Sequence, residues 1–482
     1  MTGNHEFTKK ELIKILSLCV NKTLGEVDKK NIFERAERFP KITGIAGDVI
    51  EQSVLGYPSD TKQAPDLDID GVPTELKVTG LKFAKDGKTY EAKEPMSITA
   101  VSPQKIVYED FFNSNFYHKI EHMLIIYYLY NSQSKVPAIG YKNFPIVDYD
   151  FFNFSKEDIE IIKKDWELVR DFIIDLQESY EDYERHYPSI STELKHELLY
   201  LDTAPKWPHN PRFRLKRSVV TSMYEICKGK EKDSILNYVD DSEELDAICS
   251  KIRKRFLGYT VKEILEKLGI QKKPSKSIME SVVTAMFGSK ANKMNDIELF
   301  SKIGLISKTI IFDEFDRRTE DVKFCSVNFD ELKDENISFY ESEIFDYFNS
   351  SHFLFSIFRE PHKGAELSEC IFLGFKRLTF DENFIEWQLG RTFSRVRNII
   401  INKELKDVIV RDKNGNPIIN KIGTVRSAPN FPKSSEGKVF FRGTSSDSRY
   451  KPLKINGISM THQNWWVRGD FIVSELKKLE YL

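Results

Sequence analysis

Paired cysteine motifs are absent from this sequence. Its five cysteines are scattered through 482 residues, and none stands in a Cys-x-x-Cys spacing. This distribution argues against zinc ribbons and a disulfide framework, and it predicts a reducing, cytoplasmic environment. The chain also lacks an unbroken apolar run of about 18 residues, so no transmembrane helix is expected. The charged N-terminal residues 9–14 lack the apolar core of a signal peptide.

Charge of one sign does not predominate either. Lysine and arginine total 72 against 74 aspartates and glutamates, which gives a net charge of -2. This balance does not indicate a nucleic-acid-binding protein, so any basic surface must be local. The length predicts two or three domains with ample core, and an apolar content of 40% with 30% charged residues is typical of a globular protein.

One short stretch, residues 65–77, gathers several carboxylates and a lysine. We interpret it as two extended segments around a Gly-Pro turn. Glu75 and Lys77 are two positions apart on a strand and so project to the same face, while Leu76 points into a core. Paired carboxylates suit Mg²⁺, and an adjacent lysine can orient or deprotonate a water. The arrangement is similar to that of the PD-(D/E)xK nucleases; the alternative is an edge strand with solvated charges.

A helix is predicted over roughly residues 45–56, ending at Gly56. It carries Glu51, which is either a third acidic group of the site or a solvated helix residue. Further along, residues 123–130 predict a buried strand. A long helix is expected to follow Ser155, with Trp166 in its apolar stripe. Asn414-Gly415 between two apolar runs predicts a hairpin.

Two regions are locally basic. Residues 206–230 hold seven basic residues against one acidic residue, and residues 421–482 hold eleven against five, so each is net +6. The run 212–217 alternates basic with apolar and aromatic residues, which suits phosphate contacts and guanine contacts in the major groove. The alternative is a solvated basic face.

Several of these stretches resemble the MutH superfamily, and most closely its type II restriction endonucleases that cut GATC. The matching pieces, in chain order, are Gly47–Glu51, Pro65-Asp66 with Glu75–Lys77, Lys119, Lys164–Glu167, and Phe213–Lys216 with Thr221-Ser222. In the restriction subfamily a second domain shares the nuclease fold but lacks the metal site. Residues 465–468 resemble a counterpart of residues 213–216 in the second half.

The resemblance implies an α/β (α+β) fold with two restriction-endonuclease-like domains, each a central mixed sheet flanked by helices and joined by a helical segment. We expect a catalytic domain over residues 1–230. A helical linker that begins the second domain is expected over 231–320. Residues 321–482 are then expected to form a DNA-binding or allosteric domain without the metal site.

The resemblance also implies the roles of individual residues. Mg²⁺ would be held by Asp66, Glu75 and the Leu76 carbonyl, and Lys77 would position or activate the attacking water. Glu51 would orient Lys77 or the water of a second metal ion. Lys119 would donate to the scissile phosphate or stabilise the transition state. DNA contacts are expected from Arg214, Lys216, Arg217 and Arg468.

The spacing between the first aspartate and Glu75 departs from the family pattern, which leaves two candidates for that aspartate. The first aspartate of the family usually lies seven residues before the glutamate, whereas Asp66 precedes Glu75 by nine and Asp68 by seven. The Pro-Asp pairing favours Asp66, but Asp68 also remains a candidate.

The expected activity is Mg²⁺-dependent double-strand cleavage at 5'-GATC-3' that leaves 5'-phosphates. The expected partner is double-stranded DNA, with up to two sites per chain, and no membrane binding is expected. The protein would bind the DNA as a monomer or as a DNA-induced dimer. A cognate DNA methyltransferase would act on the same site without a stable complex. The alternatives are a MutH-type mismatch-repair nickase and a non-catalytic DNA-binding protein.

Overall fold

The computed structural model describes most of the chain. The described residues are 5–40, 42–58, 64–84, 86–132, 136–204, 210–230, 232, 245–270, 278–291, 293–317, 320–412, 414–420, 423–445, 447 and 449–482. None of its helices is long and apolar enough to cross a membrane within these residues. All five cysteines are free thiols, as their spacing predicts.

Strands and helices are interspersed along the described residues, with runs of consecutive strands over residues 67–100 and 407–467. In chain order the strands are β1 (Glu6–Phe7), β2 (Leu67–Ile69), β3 (Val72–Phe83), β4 (Tyr90–Ala92), β5 (Met96–Ala100), β6 (Met123–Leu129), β7 (Ile146–Phe152), β8 (Leu201–Asp202), β9 (Arg212–Leu215), β10 (Leu305–Phe312), β11 (Val322–Ser326), β12 (His352–Arg359), β13 (Ile371–Leu378), β14 (Asp407–Ile409), β15 (Ser427–Pro429), β16 (Val439–Thr444), β17 (Leu453–Ile455), β18 (Ile458–Met460) and β19 (His462–Val467).

The α-helices are α1 (Lys9–Ser17), α2 (Leu24–Val27), α3 (Glu34–Arg38), α4 (Ile45–Asp48), α5 (Pro103–Ile106), α6 (Asn115–Glu121), α7 (Lys156–Ser179), α8 (Tyr183–His186), α9 (Ile190–Glu193), α10 (Arg217–Cys227), α11 (Leu245–Phe256), α12 (Val261–Lys267), α13 (Ile278–Met286), α14 (Glu298–Ile303), α15 (Phe329–Lys333), α16 (Glu343–Ser350), α17 (Arg391–Ile401) and α18 (Gly469–Leu476). There are also two π-helical segments among the described residues. Val49–Leu55 directly follows α4, and Phe384–Gly390 directly precedes α17. The first of them ends at Gly56 with a φ of 90°, so the predicted helix over 45–56 is confirmed.

The chain divides into two compact units. The first comprises residues 1–132, 136–244 and 288–305, and the second comprises 133–135, 245–287 and 306–482. Each unit is a mixed α/β body with sheets that helices flank, which confirms the predicted fold class.

The first unit is organised around a sheet of mixed direction. Its strand order is β1-β2-β3-β6-β7, with β4 paired to β3. The central pair, β3 and β6, is parallel, and β7 runs antiparallel to β6. Every residue of β6 is buried, as expected for a central strand with both faces covered. Leu76, Leu124 and Ile126 contribute to one core cluster together with Val49 and Ile50 of the π-helical turn.

The hairpin between β2 and β3 differs from the expected Gly-Pro turn. Asp70 and Gly71 form the turn, with φ angles of 52° and 84°. Two consecutive positive φ angles match a two-residue hairpin turn, for which Asp-Gly is a favoured sequence. Pro73 lies within β3, opposite Asp68. The Gly-Pro interpretation was wrong because the Asp-Gly pair supplies the left-handed backbone that the turn requires.

The second unit repeats part of this plan. Its sheet β10-β12-β13 is accompanied by a second sheet, β11-β19-β16. A short 3-10 turn and a serine precede both α6 and α16, and each of these helices leads into a buried central strand. The Ser114 hydroxyl donates to the Phe111 carbonyl at 2.6 Å, and the Ser342 hydroxyl donates to the Phe339 carbonyl at 2.6 Å.

Candidate active site

Glu75 is the centre of the charged cluster on β3. Its side chain is buried, with 1% of its surface exposed, although it carries a carboxylate. The Lys77 ammonium lies on the same face of the strand and donates to Glu75 Oε1 at 2.7 Å. Leu76, between them, packs in the core on the other face. The alternation of the strand therefore places these three side chains as the sequence predicts.

Lys119 reaches the same carboxylate from another element. It lies in the last turn of α6, immediately before β6, and its side chain is buried. Its Nζ atom donates to both Glu75 oxygens, at 2.9 and 2.8 Å. Because β6 is parallel to β3 and pairs with it from Met123 onward, the end of α6 is held beside the start of the Glu75 segment. A buried carboxylate with two lysine partners has the charge compensation that burial requires.

Asp66 stands just before β2 and turns toward β3. Its Oδ2 atom accepts the Leu76 N–H at 3.0 Å, and its backbone carbonyl lies 2.7 Å from the His5 ring. Burial, followed by the nearby Glu75 carboxylate, raises the pKa of Asp66 to about 6 from an ordinary 3.8. The raised pKa thus reflects first the burial of Asp66 and second its proximity to the Glu75 carboxylate.

Asp68 has a different neighbourhood. Its Oδ1 atom accepts the Gly71 N–H at 2.7 Å, within the hairpin turn, and its backbone pairs with Pro73. Asp68 therefore stabilises the turn, whereas Asp66 approaches Glu75. This placement favours Asp66 in the choice that the spacing left open.

The two carboxylates and the strand backbone fit a hard cation. The Glu75 N–H points to β6, where it donates to the His122 carbonyl. The next residue along a strand directs its N–H and C=O to the opposite side, so the Leu76 carbonyl faces the edge where Asp66 binds the Leu76 N–H. Two carboxylates and one carbonyl are oxygen ligands of the kind that Mg²⁺ takes, with water completing the shell. No cluster of three or more carboxylate, histidine or cysteine side chains suited to a metal occurs within the described ranges.

Glu51 lies in the π-helical turn that packs in the same core as Leu76. Its backbone carbonyl accepts the Gly56 and Tyr57 N–H groups, which closes the turn. Its side chain is half-buried. The structure does not place Glu51 as a third carboxylate ligand beside Asp66 and Glu75, and its role in orienting Lys77 or a water stays a prediction.

The basic run 212–217 is only partly available to a ligand. Arg214, on β9, donates from Nε to Asp202 Oδ1 at 2.6 Å and from Nη2 to Oδ2 at 3.1 Å. Lys216 is buried and donates to the Leu198 carbonyl. Lys216 therefore contributes to the interior, and a direct phosphate contact would require its ammonium to leave that carbonyl. Their roles in DNA binding stay predictions.

Arg217 and Arg468 are closer to the surface. Arg217 is the first residue of α10 and is half-buried. Arg468 stands between β19 and α18, as Lys216 stands between β9 and α10, so the predicted counterpart relation has a structural parallel. Arg468 forms an ion pair with Asp470, which lies in the first turn of α18.

A row of residues beside the site was missed by the sequence analysis. A cavity of about 690 Å³ is lined by the hairpin residues Gly71–Pro73 and by Asn115, His118 and His122, among others. These three side chains are spaced at i, i+3 and i+7 along α6 and the residue after it, which is the spacing of one helix face. A helical search of the segment before β6 would have found them.

Among its described residues, the second unit has no carboxylate at the position that aligns with Glu75. Just past the central strands, the Tyr130 N–H donates to the Leu81 carbonyl at 2.7 Å, and the Glu360 N–H donates to the Phe312 carbonyl at 2.9 Å. These two bonds align Leu81 with Phe312. Lys77 and Lys308 then occupy equivalent positions earlier in the two strands, and so do Glu75 and Ile306. Lys308 donates to the carbonyls of Lys323 and Phe324, at 2.9 and 3.4 Å.

Burial lowers the pKa of Lys308 to about 8. The second unit thus retains a lysine at the aligned position but has an apolar residue where the first unit has its buried carboxylate.

Comparison with known proteins agrees with this geometry. Residues 55–165, which contain Asp66, Glu75, Lys77 and Lys119, match the family model described as MutH, DNA mismatch repair enzyme MutH. This segment, and with it the candidate site, is therefore similar to the MutH family.

One curated relative matches both units. The chain is 24% identical over 476 residues to the type II restriction enzyme Sau3AI of Staphylococcus aureus. The alignment covers 90% of this chain and 92% of the relative.

Proposed function

We propose that this protein is a type II restriction endonuclease that makes Mg²⁺-dependent double-strand cuts in DNA at 5'-GATC-3'. The observation that carries the proposal is the cluster of Asp66, Glu75, Lys77 and Lys119, which lies inside the MutH-matching segment. The similarity to a type II restriction enzyme along both units supports the same conclusion. The sequence specificity and the 5'-phosphate products are the parts of the proposal that rest on the resemblance alone.

The chain's own residues supply positioning and charge. Lys77, at 2.7 Å from Glu75, is held where it can orient a water for in-line attack on a phosphodiester. Lys119 is held on the other side of Glu75 and places a fixed positive charge in a buried site, where charge interactions are strong. The half-buried Lys77 has access to a substrate that the buried Lys119 lacks. We therefore assign water activation to Lys77 and electrostatic support to Lys119.

Asp66, Glu75 and the Leu76 carbonyl would hold Mg²⁺. The ion, when bound, would lower the pKa of a coordinated water and offset the charge of the phosphate. Asp66 must be ionised to serve as a ligand, and its pKa of about 6 makes it ionised at neutral pH.

The second unit is assigned DNA binding without chemistry. It has Ile306 at the position aligned with Glu75, and its strand-to-helix corner at Arg468 parallels that at Lys216. We propose that it binds a second copy of the recognition site and assists cleavage at the first. Binding of two duplexes by one chain would follow.

The test is incubation of purified full-length protein with unmethylated plasmid and Mg²⁺. Linear fragments with ends at GATC and 5'-phosphates are expected. A Glu75→Gln variant serves as the matched control and should leave the plasmid intact. Binding without any cleavage by the unaltered protein would return the chain to the class of non-catalytic DNA-binding proteins.

A mismatch-repair nickase is the second candidate, because the matching family model carries the description of a mismatch repair enzyme. The match to the restriction enzyme across both units favours the first candidate. The plasmid assay separates the two candidates: a nickase would convert supercoiled plasmid to open circles and would need a partner for full activity.

A further inference from the structure

The Asn414-Gly415 hairpin belongs to an extension of the second unit that has no part in its core. We define the β-arm as residues 406–429, of which 413, 421 and 422 lie outside the described residues. None of its described residues is buried. Leu405 and Phe431, which bracket it, are both buried. The arm therefore leaves the core at one point and returns to it at nearly the same point.

Backbone pairing and capped turns give the β-arm a defined shape. At its base, β14 and β15 are antiparallel, with Val408 opposite Ala428. Beyond them three segments bond in a cycle: Val410 N–H to the Arg426 carbonyl, Arg426 N–H to the Ile418 carbonyl, and Ile418 N–H to the Val410 carbonyl, at 2.8–2.9 Å.

Side-chain hydrogen bonds secure both the tip and the base of the β-arm. Arg411 Nη1 donates to the Gly415 carbonyl at 2.8 Å, within the tip. At the tip, the Asp412 carboxylate accepts the N–H groups of Asn414 and Asn416, at 2.8 and 2.9 Å. At the base, the Asn430 side chain accepts the Lys406 N–H at 2.8 Å and donates to the Glu404 carbonyl at 3.1 Å. The arm is therefore an ordered ribbon, although no core residue supports it.

The charge of the β-arm is opposite to that of the rest of the chain. Five basic residues stand against two acidic residues, a net charge of +3, whereas the whole chain is -2 and the remainder therefore -5. The basic residues are Lys406, Arg411, Lys413, Lys421 and Arg426. Its two acids are already engaged. Asp412 caps the tip, and Asp407 accepts from the Ser427 hydroxyl at 2.8 Å and pairs with Lys451 at 3.3 Å.

We infer that the β-arm is a DNA-binding element that lies in a groove of the duplex. A two-stranded β-ribbon, such as β14 and β15 form at the base of the arm, fits the major groove. Lys406, Arg411 and Arg426 supply cations for the flanking phosphates. The exposed side chains of Val408, Ile409, Ile419 and Val425 are of the type that contacts thymine methyl groups and sugars. This inference rests on the proposed function and adds a specific contact surface to it.

The test measures DNA binding by the full-length protein without Mg²⁺, so that cleavage does not interfere. Affinity for a fluorescent duplex containing GATC is determined over a range of salt concentrations for the unaltered protein and for Arg411→Ala/Arg426→Ala. Loss of two phosphate contacts should weaken binding and reduce the salt slope by about two units. Because none of the described arm residues is buried, urea unfolding of the variant should be unchanged.

The matched control is Lys262→Ala/Lys363→Ala, which removes the same charge from two exposed positions elsewhere in the second unit. Its salt slope should equal that of the unaltered protein. Equal slopes for the control and the arm variant would overturn the inference.

The alternative binding partner of the β-arm is a second copy of the chain. In that case Ile419→Ser/Val425→Ser would change the sedimentation of the protein without DNA, and Arg411→Ala/Arg426→Ala would leave the DNA affinity unchanged. This outcome also overturns the inference. The proposed function is tested apart from these variants, since it fails if the unaltered protein does not cut DNA in the plasmid assay, whatever the arm variants do.

Discussion

Asp66 is expected to reduce the stability of the metal-free protein at neutral pH. The folded chain holds its pKa at about 6, against 3.8 for an ordinary aspartate. A carboxyl whose folded pKa is raised binds its proton more tightly in the folded state. Stability therefore falls as pH rises from about 4 through 6, and above that range the ionised carboxylate exerts its full cost. Asp66→Asn removes this titration and keeps an oxygen that can accept the Leu76 N–H.

The size of the effect follows from the two pKa values. Their separation of roughly two pH units, at about 1.4 kcal/mol each, corresponds to about 3 kcal/mol above pH 7. The same relation gives about half that difference near pH 5. Asp66→Asn should therefore unfold at higher urea concentration than the unaltered protein at pH 8, with the gap narrowing as the pH is lowered. It should nevertheless be inactive, since it lacks a ligand for the cation.

The assay is urea unfolding with a chelator at pH 8 and pH 5, repeated with added Mg²⁺. Mg²⁺ should stabilise the unaltered protein at pH 8 and have little effect on Asp66→Asn. The control is Asp68→Asn, whose side chain lies in the hairpin turn and should still accept the Gly71 N–H. If Asp66→Asn is less stable at both pH values, or if Asp68→Asn shows the pH-dependent gain instead, the assignment of Asp66 is refuted.

Three further predictions concern charges at other positions. Glu75→Gln should abolish cleavage and retain DNA binding. It should also lower the free energy of unfolding by about 3–5 kcal/mol, because Lys119 would be left buried without a counter-charge. The double variant Glu75→Gln/Lys119→Met should recover most of that lost stability in urea unfolding. Lys216→Met should lower stability without changing the salt slope of DNA binding, because the Lys216 ammonium is buried, and a reduced slope would instead show a phosphate contact. A two-site plasmid should be cut faster than a one-site plasmid by a factor that corresponds to about 1–3 kcal/mol of coupling, and equal rates would remove the assisting role of the second unit.

Local rules in the sequence determine much of the candidate site. A strand alternates its side chains with a period of two, so Glu75 and Lys77 share a face and Leu76 faces the core in any fold that makes this segment a strand. The capping box of Thr8 and Glu11 and the N-terminal cap at Ser155 are equally local, since each involves residues within one helical turn. These features depend on neighbours three or fewer residues apart, and the sequence contains all of the information that they need.

The contacts between distant segments were decided only by the tertiary structure. The register of β2 against β3 turns Asp66 toward Leu76 and leaves Asp68 in the hairpin, and spacing alone left these two aspartates as alternatives. Lys119 meets Glu75 across 44 positions because α6 ends where β6 begins beside β3. Lys216 is buried although it stands in a basic run, because the fold brings the Leu198 carbonyl, 18 positions earlier, to its ammonium. Sequence patterns specify the face of an element, but the packing of elements specifies which charges meet and which are buried.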